Sequence, residues 1–121
     1  MKHWRETIKI QKLLESDGWK SPDTYCNHFA EPSAISSLYL FMMIKTECFD
    51  EALVAYVGMS TNLEKRWNGH EILTQITKPG VFIKRWFKPT PVDKLRSTEK
   101  SYIHQFNPPW NVIGRPRGLI T

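Results

Sequence analysis

Two apolar runs dominate the chain, Leu38 to Ile44 and Ala52 to Val57. Each has strand length, and hydrophobicity without alternation predicts strands covered on both faces, so helices should flank the sheet. The polar stretch Lys45 to Glu51 between them is too short for a parallel crossover and predicts an antiparallel hairpin. Gly58 should break the second strand. A helix should restart beyond it, with Thr61 as N-cap and Glu64 three residues on, the capping-box spacing. On one continuous helix Leu63, Arg66 and His70 would share a face.

Around this centre the pattern is simpler. Residues 3–15 carry Trp4, Ile8 and Leu14 near helical spacing, with Gly18 as a stop. Residues 19–36 are irregular, punctuated by Ser21-Pro22-Asp23 and Glu31-Pro32-Ser33. Cys26 and His28 lie in that linker, but a lone Cys-x-His lacks the second pair of a structural zinc site. Pro79-Gly80 marks a turn, and Val81 to Phe87 reads as a third strand with Lys84, Arg85 and Lys88 at its exit. Thr90-Pro91-Val92-Asp93 is a helix start, Thr90 as N-cap and Pro91 in the first position. That helix should run to about Phe106 on a stripe of Leu95, Tyr102, Ile103 and Phe106, which turns Glu99 inward. A carboxylate on a packing face is costly unless it is paired, hydrogen-bonded or holding a metal. Phe106-Asn107-Pro108-Pro109-Trp110-Asn111 predicts an extended return that presents Trp110 and Asn111, followed by a basic tail.

Charge sharpens this picture. The 121 residues carry a net charge of +5, unevenly spread. Residues 1–60 hold six Lys or Arg against eight Asp or Glu, and residues 61–121 hold eleven against four. A half-chain of that excess points to a polyanion, nucleic acid before anionic lipid, with a merely solubilising surface as the bland alternative. No apolar run approaches the ~20 residues that span a bilayer. Arg5, Glu6 and Lys9 interrupt any signal-peptide core, and two cysteines are too few for a disulfide framework. The expectation is a cytoplasmic protein with reduced thiols, divided into a helix and linker over 1–35, a main domain over 36–112 and a tail over 113–121.

The parts resemble the GIY-YIG nuclease superfamily over about residues 36–112. Ser37-Leu38-Tyr39 stands for its first motif, with Ser where Gly is usual, and Tyr56-Val57-Gly58 for its second. Arg66 and His70 match R-W-x-x-H, Glu99 the helix carboxylate and Asn111 the terminal Asn. The Phe106 to Asn111 stretch and the small size look most like short free-standing phage endonucleases of the T-even endonuclease II type. The resemblance implies a small α/β (α+β) fold, a three-stranded antiparallel sheet flanked by helices, here with an extra N-terminal helix. It implies an endonuclease of a phage or mobile element that nicks or cuts double-stranded DNA with one divalent metal. That metal would be Mg²⁺ (Mn²⁺ as a substitute) on Glu99. Tyr39 would take the water's proton, Arg66 would bind phosphate oxygens, and Tyr56 and His70 would position water or phosphate. Asn111 would orient Glu99 or the metal shell. Lys65, Lys84, Arg85, Lys88, Lys94, Arg115 and Arg117 are the candidate DNA contacts. A homo-oligomer is one route to a double-strand break, and a non-catalytic nucleic-acid-binding module on the same scaffold is the alternative reading.

Overall fold

The computed structural model describes residues 4–22, 36–68 and 70–113. The hairpin forms as the apolar runs predict: β2 (Ser37–Lys45) pairs antiparallel with β3 (Glu51–Ser60), and β4 (Val81–Pro89) pairs antiparallel along the other side of β2. The sheet has four strands, not three, in the order β1-β3-β2-β4. The extra strand, β1 (Arg5–Glu6), is two exposed residues paired with Glu51 and Ala52, too short and too polar to leave a hydrophobic signature.

Alternation along the strands makes two cores. One face carries Leu38, Leu40, Met42, Ile44 and Trp86, covered by α1 (Thr7–Ser16) and α4 (Leu95–Phe106). The other carries Tyr39, Phe41, Met43 and Phe87, covered by α2 (Leu63–Trp67) and α3 (Glu71–Ile76). Helices on both faces are what the continuous runs required. The N-terminal helix begins at Thr7, and this start turns Thr7, Ile10 and Leu14 inward while Ile8 stays exposed. Gly18 ends it in the left-handed region, at φ 90°. Ile10, Leu14 and Trp19 thereby belong to the same core as the sheet.

Three local expectations change. The second strand runs through Gly58 to Ser60. Thr90 does not cap α4; its hydroxyl donates to the Lys88 carbonyl, and a 3-10 turn over Val92–Lys94 leads into the helix. After Asn107, left-handed at φ 48°, the chain forms α5 (Pro109–Ile113), not an extended return, with Pro109 in the first helical position that proline favours.

Each sheet edge is covered at particular positions. Lys20 bridges Phe87 on the β4 side, through N–H to O contacts of 2.9 and 2.8 Å. On the β3 side, β1 covers Ala52, and the Asn111 amide covers Val57. Among the described residues no helix is long and apolar enough to cross a membrane. Cys26, His28, Arg115 and Arg117 lie outside the described residues.

Candidate active site

The site gathers at the end of the hairpin where Ser37 faces Ser60 and Tyr39 faces Gly58. Tyr39 and Tyr56 come from adjacent strands, and a bulge puts them on one face. Phe41 lies opposite Tyr56 but Met42 lies opposite Val54, so Ala55 is the extra residue. That insertion reverses the phase of β3: Val54 faces the α1/α4 core, yet Tyr56 faces Tyr39. The two tyrosine rings sit 6.2 Å apart.

The helical residues arrive differently from expectation. Arg66 and His70 do not share a helix. Asn62, not Thr61, caps α2, its side chain accepting from the Lys65 N–H at 3.2 Å. The helix stops at Trp67, where Asn68, of low helical propensity, turns extended. His70 is the N-cap of α3: its Nδ1 accepts the Ile72 N–H at 3.1 Å, and its Nε2 lies 2.8 Å from the Tyr39 hydroxyl. The cap fixes the tautomer. With Nδ1 accepting, the proton of a neutral imidazole is on Nε2, which therefore donates to the Tyr39 oxygen.

Burial, and then the nearby Arg66 charge, lowers the His70 pKa to about 4, so the ring is neutral at neutral pH. Burial pushes the Tyr39 phenol far above its ordinary value; the charge of Tyr56 and that of Glu99 add to this, while Arg66 pulls it back by charge and hydrogen bonding. Tyr56 is raised too, by burial first, with Arg66 opposing and Glu99 adding. Arg66 is half-exposed and ion-paired to Glu71 at 3.5 Å.

Glu99 is half-buried on α4, a helix whose Leu95 and Tyr102 pack on the opposite face from Tyr39. Its charge nevertheless reaches both tyrosines. Among the described residues no group of three or more His, Cys, Asp or Glu side chains could hold a metal. A cation here would have Glu99 as its protein ligand and take the rest of its shell from water and phosphate, a donor set that suits Mg²⁺.

Asn111 does not reach toward Glu99. It is buried, its Oδ1 accepts the Val57 N–H and its Nδ2 donates to the Val57 carbonyl, both at 2.8 Å. The amide thus anchors α5 to β3 between Tyr56 and Gly58. The proposed DNA contacts divide as well. Lys84 and Lys88 face α1: Lys84 bonds Gln11 at 2.6 Å, and Lys88 pairs with Asp17 at 3.6 Å. Arg85 faces the Tyr39 side, its guanidinium 4.8 Å from the centre of the Trp67 ring. Lys65 and Lys94 are exposed.

Three participants were not among the expected site residues, although Gly58 and Trp67 stand within the motifs themselves. Gly58 seats Tyr39, because a Cβ there would lie 2.5 Å from the ring's Cζ. Trp67 walls the phenol at 6.3 Å between ring centres, and Glu71 holds Arg66. A carboxylate directly after His70, in the first turn of a helix, was the available signal for Glu71. Comparison with protein-family models, curated proteins and solved structures returns no match.

Proposed function

We propose that the chain is a metal-dependent endodeoxyribonuclease of the GIY-YIG type, hydrolysing phosphodiester bonds in double-stranded DNA by nicking or cutting. One observation carries the reading: a single buried phenol, Tyr39, lies 2.8 Å from the His70 imidazole, beside the Tyr56 ring and under the charges of Arg66 and Glu99. Titratable groups drawn from separate elements onto one atom are a mark of chemistry more than of packing.

The roles follow from the donors and acceptors. The planar, always-charged Arg66 fork matches two non-bridging phosphate oxygens. His70 Nε2–H occupies one lone pair of the Tyr39 oxygen, so the phenol directs its own proton outward. For Tyr39 to accept a proton from water it must first lose that one, and burial opposes this. Arg66 and His70 are the groups placed to hold the resulting phenolate, one by charge and one by hydrogen bonding. A divalent cation on Glu99 would supply charge neutralisation at the phosphoryl oxygens. Tyr56, beside Tyr39, is placed to orient the water or the phosphate. Asn111 acts through the backbone, holding the strand segment that carries Tyr56.

Supercoiled plasmid incubated with the protein and Mg²⁺ should yield nicked or linear product, and Glu99→Ala should slow this by about 10²-fold or more. If the wild-type chain leaves plasmid supercoiled across salt concentrations and sequences, the enzyme reading fails. The high Tyr39 pKa favours one rival, a non-catalytic nucleic-acid-binding module. Salt-dependent DNA binding indifferent to Mg²⁺, without cleavage, would select it.

A further inference from the structure

The charge on α4 is one-sided. At about 100° per residue, Tyr102, Leu95, Phe106 and Ile103 form the packing stripe, and Glu99 lies within it, between Phe106 and Ile103. Beyond Ile103 on the Glu99 flank come Arg96 and Lys100, His104 and Ser97 stand at the outer pole, and Ser101, Gln105 and Thr98 follow on the other flank. Arg96, Lys100 and His104 are exposed, and among the described residues no ion pair engages Arg96 or Lys100. An ordinary solvated face mixes signs, as α1 does with Lys9, Lys12 and Glu15 exposed together. Here every charge on the outer surface of α4 is basic or can become so, with Arg96 and Lys100 on the side of Glu99 and His104 next to them at the outer pole. The basic side chains of β4 that could have competed, Lys84 and Lys88, are engaged on the α1 face by Gln11 and Asp17.

We infer that Arg96, Lys100 and His104 form a phosphate track leading to Glu99, and that the backbone of bound duplex DNA runs along this flank of α4. The inference rests on the nuclease reading for its ligand and adds the direction of approach. Arg96 and His104 are about 12 Å apart along the helix axis at 1.5 Å per residue. That matches the axial rise of about three to four nucleotides of one strand. Arg96 lies only about 60° around the helix from Glu99, so a phosphate held by Arg96 has a neighbour within reach of the carboxylate.

The test uses the full chain in EDTA, a short fluorescein-labelled DNA duplex, and anisotropy across a salt series. Arg96→Gln/Lys100→Gln and Thr98→Glu/Gln105→Glu change the net charge by the same amount on the same helix, on opposite flanks. The first pair should weaken binding by about tenfold or more and flatten the log–log salt slope by about 1.8, two phosphate contacts' worth. The second should do markedly less, with the circular dichroism of both unchanged. Equal losses in the two variants, or none in the first, would overturn the track. A wild-type chain that nicks plasmid while Arg96→Gln/Lys100→Gln binds normally overturns the track alone. A chain that binds through Arg96 and Lys100 but never cleaves sinks the nuclease and leaves the track standing.

Discussion

The same three strands present two unlike faces. Toward α1 and α4 they offer Leu38, Leu40, Met42, Ile44 and Trp86, and the polar groups there serve as ties: Lys84 to Gln11, and Lys88 and Tyr102 to Asp17. Toward α2 and α3 they offer Tyr39 and Tyr56, and the polar groups there, His70 and Arg66, converge on one phenol. A period of two lets one sheet present a mainly aliphatic side to α1 and α4 and a tyrosine-bearing side to α2 and α3. Burial raises the pKa of a phenol on each face, Tyr102 on the first and Tyr39 with Tyr56 on the second. The difference teaches that the faces are told apart by what burial brings together, ties to Asp17 and Gln11 on the first and an imidazole and a guanidinium around one phenol on the second. Glu99 belongs to a helix of the first and acts on the second.

The largest expected effect breaks the side facing α1 and α4. Trp86 is 1% exposed, and Trp86→Ala should cost about 3–5 kcal/mol in urea unfolding. That loss should be the same at about pH 5 and about pH 7.5, since no titration is involved. His70→Gln should behave in the opposite way. The folded-state pKa of His70 is about 4, against an ordinary 6.5, so between these values the unfolded chain takes up a proton that the folded chain refuses. This contribution is complete above 6.5 and lost as pH falls toward 4, about 3 kcal/mol in all. In His70→Gln the decline of stability over that window should be shallower by that amount. Parallel pH profiles for the variant and the wild type would refute a buried neutral imidazole.

How much of this was legible depended on whether a feature has a period. The hairpin, β4 and the inward stripe of α4 were readable because apolar runs and helical spacing report burial directly. The break between Arg66 and His70 was hidden because four-residue spacing suits one helix as well as two. Asn68-Gly69 was the warning, two poor helix formers in succession. The bulge at Ala55 left no trace, since every residue from Ala52 to Val57 is apolar or aromatic and either phase buries them. Yet that bulge decides whether Tyr56 joins Tyr39. Asn111 was expected to orient Glu99 or the metal shell and instead bonds the Val57 backbone, because a primary amide can serve a backbone edge as well as a carboxylate. Only the sheet's open edge at Val57 shows which it does.

The smallest predicted cost falls at Gly58, which seats the Tyr39 ring. Its backbone is not in the left-handed region, so replacing it by alanine would ordinarily stabilise by about 0.4–1 kcal/mol through the unfolded chain. The new Cβ, however, would lie 2.5 Å from Tyr39 Cζ and 2.6 Å from its hydroxyl oxygen. That ring has little room to yield: it is 1% exposed, with Phe41 and His70 both at 5.5 Å between ring centres. Overpacking of this kind costs about 1–3 kcal/mol, which outweighs the entropic gain. Moving the hydroxyl also strains the bond to His70, so the Gly58→Ala chain should unfold at lower urea and lose plasmid cleavage beyond its loss of folded molecules. A variant as stable as the wild type would mean that the Tyr39 ring relaxes freely, and the phenol would then be an ordinary core residue.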